Sequence, residues 1–174
     1  MLKDFLNEIL TDVEVDLTQE FDRNFERKAF FNNKWPQAKH ANSRGSLLMR
    51  TGKLRRSVQS NRANGRISWS SNLPYASIQN EGGEIVVTAK MKSFFWAMFY
   101  KSSNAVKGKG KRAASLSAEA SKWKAMALLK VGTKMKVEQR QFIGWHPQVD
   151  KRIKKVVDYN LQQLNKEILK KLSP

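Results

Sequence analysis

Hydrophobic residues recur at steps of three and four from the start of the chain, at Leu2, Phe5, Leu6, Ile9, Leu10, Val13, Leu17, Phe21 and Phe25. That spacing predicts a helix over residues 2–29. No proline interrupts it, and Asp4 lies in its first turn, where the helix dipole stabilises an acid. At 1.5 Å per residue it runs about 40 Å, more than packing within a domain of this size demands. The stripe drifts around the axis, so two readings stand side by side: the helix lies along its own sheet, or part of it faces a second body. A similar pattern closes the chain. Val149, Ile153, Val156, Val157, Leu161, Leu164, Ile168 and Leu172 predict a helix over roughly 148–172, opened by Trp145-His146-Pro147, since proline is tolerated in a first turn.

Between these helices the period shortens to that of strands and turns. Thr51 is placed to cap a short turn, with Gly52 allowing tight passage and Leu54 pointing inward. Residues 57–59 and 67–71 read as strands of a hairpin turning at Asn64-Gly65. Pro74 holds Leu73 extended, and residues 75–78 form one helical turn stopped by Gly82-Gly83. Strands follow at 84–89 and near 135–142. Residues 91–100, dense in Phe, Trp and Met, and a segment from Ser115 or Ser117 to about Lys130 predict a helical hairpin with a cationic tip, Lys107 to Arg112. The connector 30–46 is polar, anchored by Trp35-Pro36, with His40 exposed within it.

The expected fold class is therefore α+β: a small, mostly antiparallel sheet from strands near 57, 67, 85 and 137, flanked by long N- and C-terminal helices. Residues 1–174 are read as a single domain, with 90–135 as a helical insertion.

Composition adds charge to this picture. The formal net charge is +18, but residues 1–30 hold eight acids against four bases, so a local −4 leaves +22 for the remainder. Such asymmetry suits nucleic acid, a polyanionic surface, or contact between copies of the chain. The plain alternative is a set of solvated basic faces that keep the protein in solution. A hydrophobic share of 40% argues for a real core. The absence of cysteine excludes disulfides and thiolate metal sites. The start lacks the order of a secretory signal, and the longest apolar run, 94–100, is far short of the roughly 20 residues that span a bilayer. The reading is of a soluble protein with no membrane partner.

Catalytic chemistry has little to stand on. His40 and His146 lie apart, and no His/Cys/carboxylate set has metal-ligand spacing. The stretch 45–54 has the outline of a phosphate-binding loop, but six residues separate its glycines and Leu54 stands where magnesium needs Ser or Thr. A nuclease needs clustered acids, whereas half of the acids here are scattered around one helix. The expectation is no enzyme and no cofactor.

Three short strings carry a resemblance. They are Leu48, Thr51, Gly52, Leu54 and Ser57; then Tyr75, Ala76, Gln79 and Gly82; then Arg140, Phe142 and Gly144. In this order, between two long helices, they resemble the tail-completion (virion morphogenesis) proteins of long-tailed bacteriophages, over most of residues 1–89 and 136–172. Residues 90–135 depart from that pattern. The resemblance implies a structural role in tail completion or head–tail joining, as a subunit of a ring at the neck or tail end. It implies self-association and contact with other neck, connector or tail-tube proteins, and a location in the virion and, during assembly, the host cytoplasm. A closed ring needs unlike surfaces on each copy, which Glu8, Asp12 and Asp16 on one side and the basic remainder on the other would supply. The motif positions are then architectural, with Tyr75 and Phe142 as core or interface anchors and Arg140 paired to a carboxylate or to carbonyls. Lys107, Lys109, Lys111 and Arg112 are the candidate DNA contacts; Phe94, Phe95, Trp96 and Phe99 are the candidate contacts to a neighbouring protein. The rival from another class is a non-specific nucleic-acid-binding protein, although no helix-turn-helix, zinc-finger or RNA-recognition signature appears.

Overall fold

The two long periodic segments fold as helices α1 (Leu2–Arg27) and, at the other end of the chain, α6 (Pro147–Leu172). The computed structural model describes residues 2–38, 46–105 and 111–172, with backbone alone at Leu2, Lys111, Arg112 and Ser115. His40, Lys107 and Lys109 lie outside the described residues. After α1 come β1 (Ala29–Phe30) and β2 (Asn33–Lys34), then α2 (Lys53–Ser57), β3 (Val58–Ala63), β4 (Arg66–Ser71), α3 (Ala76–Glu81) and β5 (Gly83–Val86). The chain continues through α4 (Ala89–Asn104), α5 (Lys111–Leu128) and β6 (Lys134–Val137) to α6.

The architecture is α+β. Every strand pairing is antiparallel, but the four strands expected to share one sheet form two separate ladders. β3 pairs with β4 from Val58–Ser71 to Ala63–Arg66. Their turn uses Asn64 at φ 51° and Gly65 at φ 72°, the pair of left-handed residues that a two-residue hairpin of matching twist requires. β5 pairs with β6 from Gly83–Val137 to Val86–Lys134. The last strand stops at Val137 rather than continuing to 142, because the backbone then leaves β5 and the Arg140 amide donates to the Gln79 carbonyl at 2.8 Å. β5 likewise stops at Val86, and Thr88 turns to cap α4 by accepting from the Met91 amide at 3.2 Å. The small β1–β2 ladder was not legible in the polar connector.

The chain forms two compact units. The first comprises Met1–Trp35, Gly52–Ala76 and Gln141–Pro174; the second comprises Pro36–Thr51 and Ser77–Arg140. In the first, Val13, Leu17, Phe21, Phe30, Phe31 and Val149 form the core, with Ile67, Trp69, Ile153 and Val156 packed against it. Phe21 meets Trp69 edge-on at 5.3 Å, and Phe25 meets Phe142 at 5.2 Å and Trp35 at 5.8 Å. Each such ring contributes about 1.5–3 kcal/mol by burial. In the second unit, α4 and α5 pack as the expected helical hairpin. Phe94 and Phe95 meet Trp123 at 5.9 and 6.1 Å, while the buried Ala120 and Ala127 let the helices approach.

Candidate assembly surface

The acids of α1 do not simply await a neighbour. Asp16 receives both Nε and Nη2 of Arg152 on α6, at 2.8 and 2.9 Å. One turn on, Glu20 is buried and held by Arg27 at 2.6 Å, Arg152 at 3.2 Å and Arg23 at 3.4 Å. Asp12 accepts from Asn160 Nδ2 at 3.0 Å. On another face, Arg55 of α2 bridges Asp22 and Glu26. The hydrogen bonds that Arg55 donates to Asp22 and Glu26 raise its pKa, and the bond to Asp16 raises that of Arg152 against an opposing cost of burial. Of the three acids expected at a subunit contact, Asp16 is thus bound within its own chain, Asp12 is partly so, and Glu8 stands exposed. The physical reason is reach: α6 packs antiparallel beside α1, and an arginine bridges the space between two neighbouring helices. This is a correction to the simple picture of an acidic helix offered outward.

Two polar residues of α1 were missed by the sequence reading. Asn24 is fully buried; its Nδ2 donates to the Phe142 carbonyl at 3.1 Å, and its Oδ1 accepts from the Phe31 amide at 2.9 Å and from Arg27 at 2.7 Å. It thereby satisfies the backbone of Phe31, which sits at φ 54°, an uncommon conformation for a bulky side chain. Glu20 is the second. The available signal was position: both fall on the stripe of Val13, Leu17 and Phe21, where a polar residue must find partners.

The motif residues lie where the chain passes from one unit to the other. Leu48 and Thr51 belong to the second unit and Gly52, Leu54 and Ser57 to the first; Tyr75 and Ala76 belong to the first, Gln79 and Gly82 to the second; Arg140 belongs to the second, Phe142 and Gly144 to the first. Gly52, at φ 67°, occupies the cap position of α2 without a side-chain bond, so Thr51 is not the cap residue expected. Leu54 is buried, and Ser57 Oγ donates to the Leu54 carbonyl at 2.8 Å and lies 2.7 Å from Ser71 Oγ. Within the second unit, Gly82 at φ 74° approaches Gln139 so closely that a Cβ would lie 3.0 Å from its backbone nitrogen. Arg140 donates to the carbonyls of Pro36 and Gln37 at 3.1 and 3.4 Å, as expected of a carbonyl-paired arginine. Within the first unit, Phe142 is 0% exposed and Ala76 is buried. Gly144, at φ 129°, is exposed. Tyr75 is 42% exposed, so it is no core anchor of this chain.

The aromatic candidates divide by face. Phe95 is buried against α5, Phe94 is more than half exposed, and Trp96 and Phe99 form a half-buried group with Tyr100. Lys124 lies 5.9 Å over the Phe99 ring. Lys111 and Arg112 begin α5, with side chains outside the description. His146 stacks on Phe31 at 4.7 Å and its Nδ1 accepts from the Gln148 amide at 3.2 Å, a helix-start role. Among the described residues no group of three His, Cys, Asp or Glu is placed to hold a metal ion. Among them, too, no helix is long and apolar enough to cross a membrane. The arrangement can bind and orient; its buried carboxylate is held by arginines.

Comparison with known proteins adds no relative: no family model, no curated protein and no solved structure matches this chain.

Proposed function

We propose that the chain is a structural morphogenesis protein of a bacteriophage or prophage, acting in tail completion or head–tail joining as a neck or tail-terminator ring subunit. The observation that carries the reading is the ordered set of three motifs between two long helices. Its support from geometry is that these residues do backbone work. Gly52 and Gly82 hold positive φ, Leu54, Ala76 and Phe142 are buried, and Arg140 ties down two carbonyls. Removing the gene from its phage or prophage should leave heads and tails unjoined, or tails of irregular length, in electron micrographs. Normal numbers of intact infectious particles would refute the proposal.

A second reading, non-specific nucleic-acid binding, draws on one observation. Across α4 and α5 the sole acid is Glu119, whereas Lys90, Lys92, Lys101, Lys111, Arg112, Lys122 and Lys124 are basic. Filter retention of double-stranded DNA over a salt series tests it: a steep fall in affinity with salt supports phosphate contact, and no retention at low salt rejects it.

A further inference from the structure

We propose that one face of the α4–α5 hairpin is a stacking platform for single-stranded nucleic acid, with Trp96, Phe99 and Tyr100 taking bases and Lys92 and Lys124 taking phosphates. The inference deepens the nucleic-acid reading and rests on it; it does not need the tail-completion reading. Lys92, Trp96, Phe99 and Tyr100 follow one another at helical spacing and share one side of α4. Tyr100 stacks on Trp96 with ring centroids 6.0 Å and planes 27° apart, and Phe99 stands edge-on to Trp96 at 5.8 Å. This group lies beside the interior of the hairpin, which is lined by the buried Phe95, Ser102, Ala120 and Ala127. Tyr100 is 58% exposed, and Trp96 and Phe99 are half-buried. Lys124 of α5 holds its Nζ 5.9 Å over the Phe99 ring, and Lys92 lies one turn before Trp96.

Ring and charge together select the occupant. Stacked rings at a surface offer flat apolar area, and ammonium groups beside them favour an anion. An acidic helix would satisfy the lysines but brings its carboxylates on aliphatic stems, with no plane to set on the rings. A nucleotide brings both parts, a planar base and a phosphate. In a duplex the faces of the bases are already stacked on one another, so only an unpaired strand offers them. The sole acid of the two helices keeps clear of this face. Glu119 precedes Lys124 by five residues, about 140° round α5. Its Oε1 lies 3.5 Å from Trp123 Nε1, on the side where Phe94 packs against Trp123.

Fluorescence anisotropy of a labelled oligothymidine of about 16 nucleotides with the full chain, beside a duplex of the same length, tests the platform. At low salt the single strand should bind more tightly than the duplex. Tyr100→Leu keeps an apolar side chain without a ring and should weaken single-strand binding about tenfold, whereas Tyr100→Phe should retain it. Lys92→Ala combined with Lys124→Ala should reduce the slope of log affinity against log salt by about 1.4, the share of two phosphates on a single strand. Phe94→Leu removes an equally exposed ring about 120° round α4 from Tyr100 and should leave the affinity unchanged. Circular dichroism should not change with Tyr100→Leu, because that ring is exposed; should it change, the slope of the lysine variant decides alone. No preference for the single strand, full affinity in Tyr100→Leu, an unchanged slope in the lysine variant, or equal loss in Phe94→Leu overturns the platform and leaves the wider nucleic-acid reading standing. No binding of either form at low salt removes both. Polyglutamate or phosphatidylserine vesicles that bind as tightly as the oligothymidine and displace it overturn the platform in favour of an acidic protein or a lipid surface.

Discussion

The two compact units bury their interiors by opposite means. The first places polar groups at its centre and satisfies them: Asn24 binds three partners, and Glu20 three arginines. The second relies on small residues, Ala120 and Ala127, to bring two helices together, and leaves Phe94 and Tyr100 more than half exposed. A satisfied polar centre admits few alternative packings, because any shift strands a donor or acceptor at a cost of about 1–3 kcal/mol. A helical hairpin closed over alanines carries no such constraint, and its uncovered aromatic side chains remain free for contacts. The first unit is fixed at its centre by polar pairing; the second closes without it.

Substitutions ranked by effect sharpen that contrast. Phe142→Ala empties a fully buried ring site in the first unit and should cost about 3–5 kcal/mol in urea denaturation. Asn24→Leu keeps the volume but removes the bonds to the Phe31 amide and the Phe142 carbonyl; the expected loss is about 2–4 kcal/mol by the same measurement. A loss under about 0.5 kcal/mol would remove the polar centre from the comparison. Arg152→Ala strips Asp16 and one partner of the buried Glu20, at about 1–3 kcal/mol, and Arg152→Lys should recover only part because an ammonium cannot make the paired contact. Gly82→Ala tests a strict backbone position of the second unit, where positive φ and the nearby Gln139 backbone predict a thermal destabilisation of roughly 1–3 kcal/mol. Phe94→Ala should cost least, about 1 kcal/mol or less, since the ring is already half in water. A cost as large as that of Phe142 would erase the distinction between the units.

The elements were largely legible in the sequence because periodicity is local. The spacing of Val13, Leu17 and Phe21 and of Val149, Ile153 and Val156 located both long helices to within two residues, and Asn64-Gly65 located the hairpin turn. What escaped was set by pairing over long distances. Nothing near Asn24 in sequence announces Phe142, and nothing near Asp16 announces Arg152. The β5–β6 ladder ends as the Arg140 amide goes to the Gln79 carbonyl, a choice made by a residue in a loop. Of the candidate site, Arg140 was foreseen as a partner of carbonyls, Gly52 and Gly82 as positive-φ positions, and Phe142 as buried. Asp16, expected at a neighbouring copy, is instead held by Arg152, because charge counting is blind to geometry.

The first unit draws its interior from both ends of the chain, and that bears on how it is made. Leu17, Phe21 and Phe25 leave the ribosome early, but Phe142 and Val149, which complete their surroundings, come after residues 36–140 have been added. At about 5–20 residues per second that interval is roughly 5–20 s. Throughout it the nascent α1 has Phe30, Phe31 and Trp69 to set against Phe21 but lacks the cover that Phe142 and Val149 add. The second unit's helical hairpin, whose two helices are neighbours in sequence, is finished before α6 is made, so a later segment closes over the earlier α1.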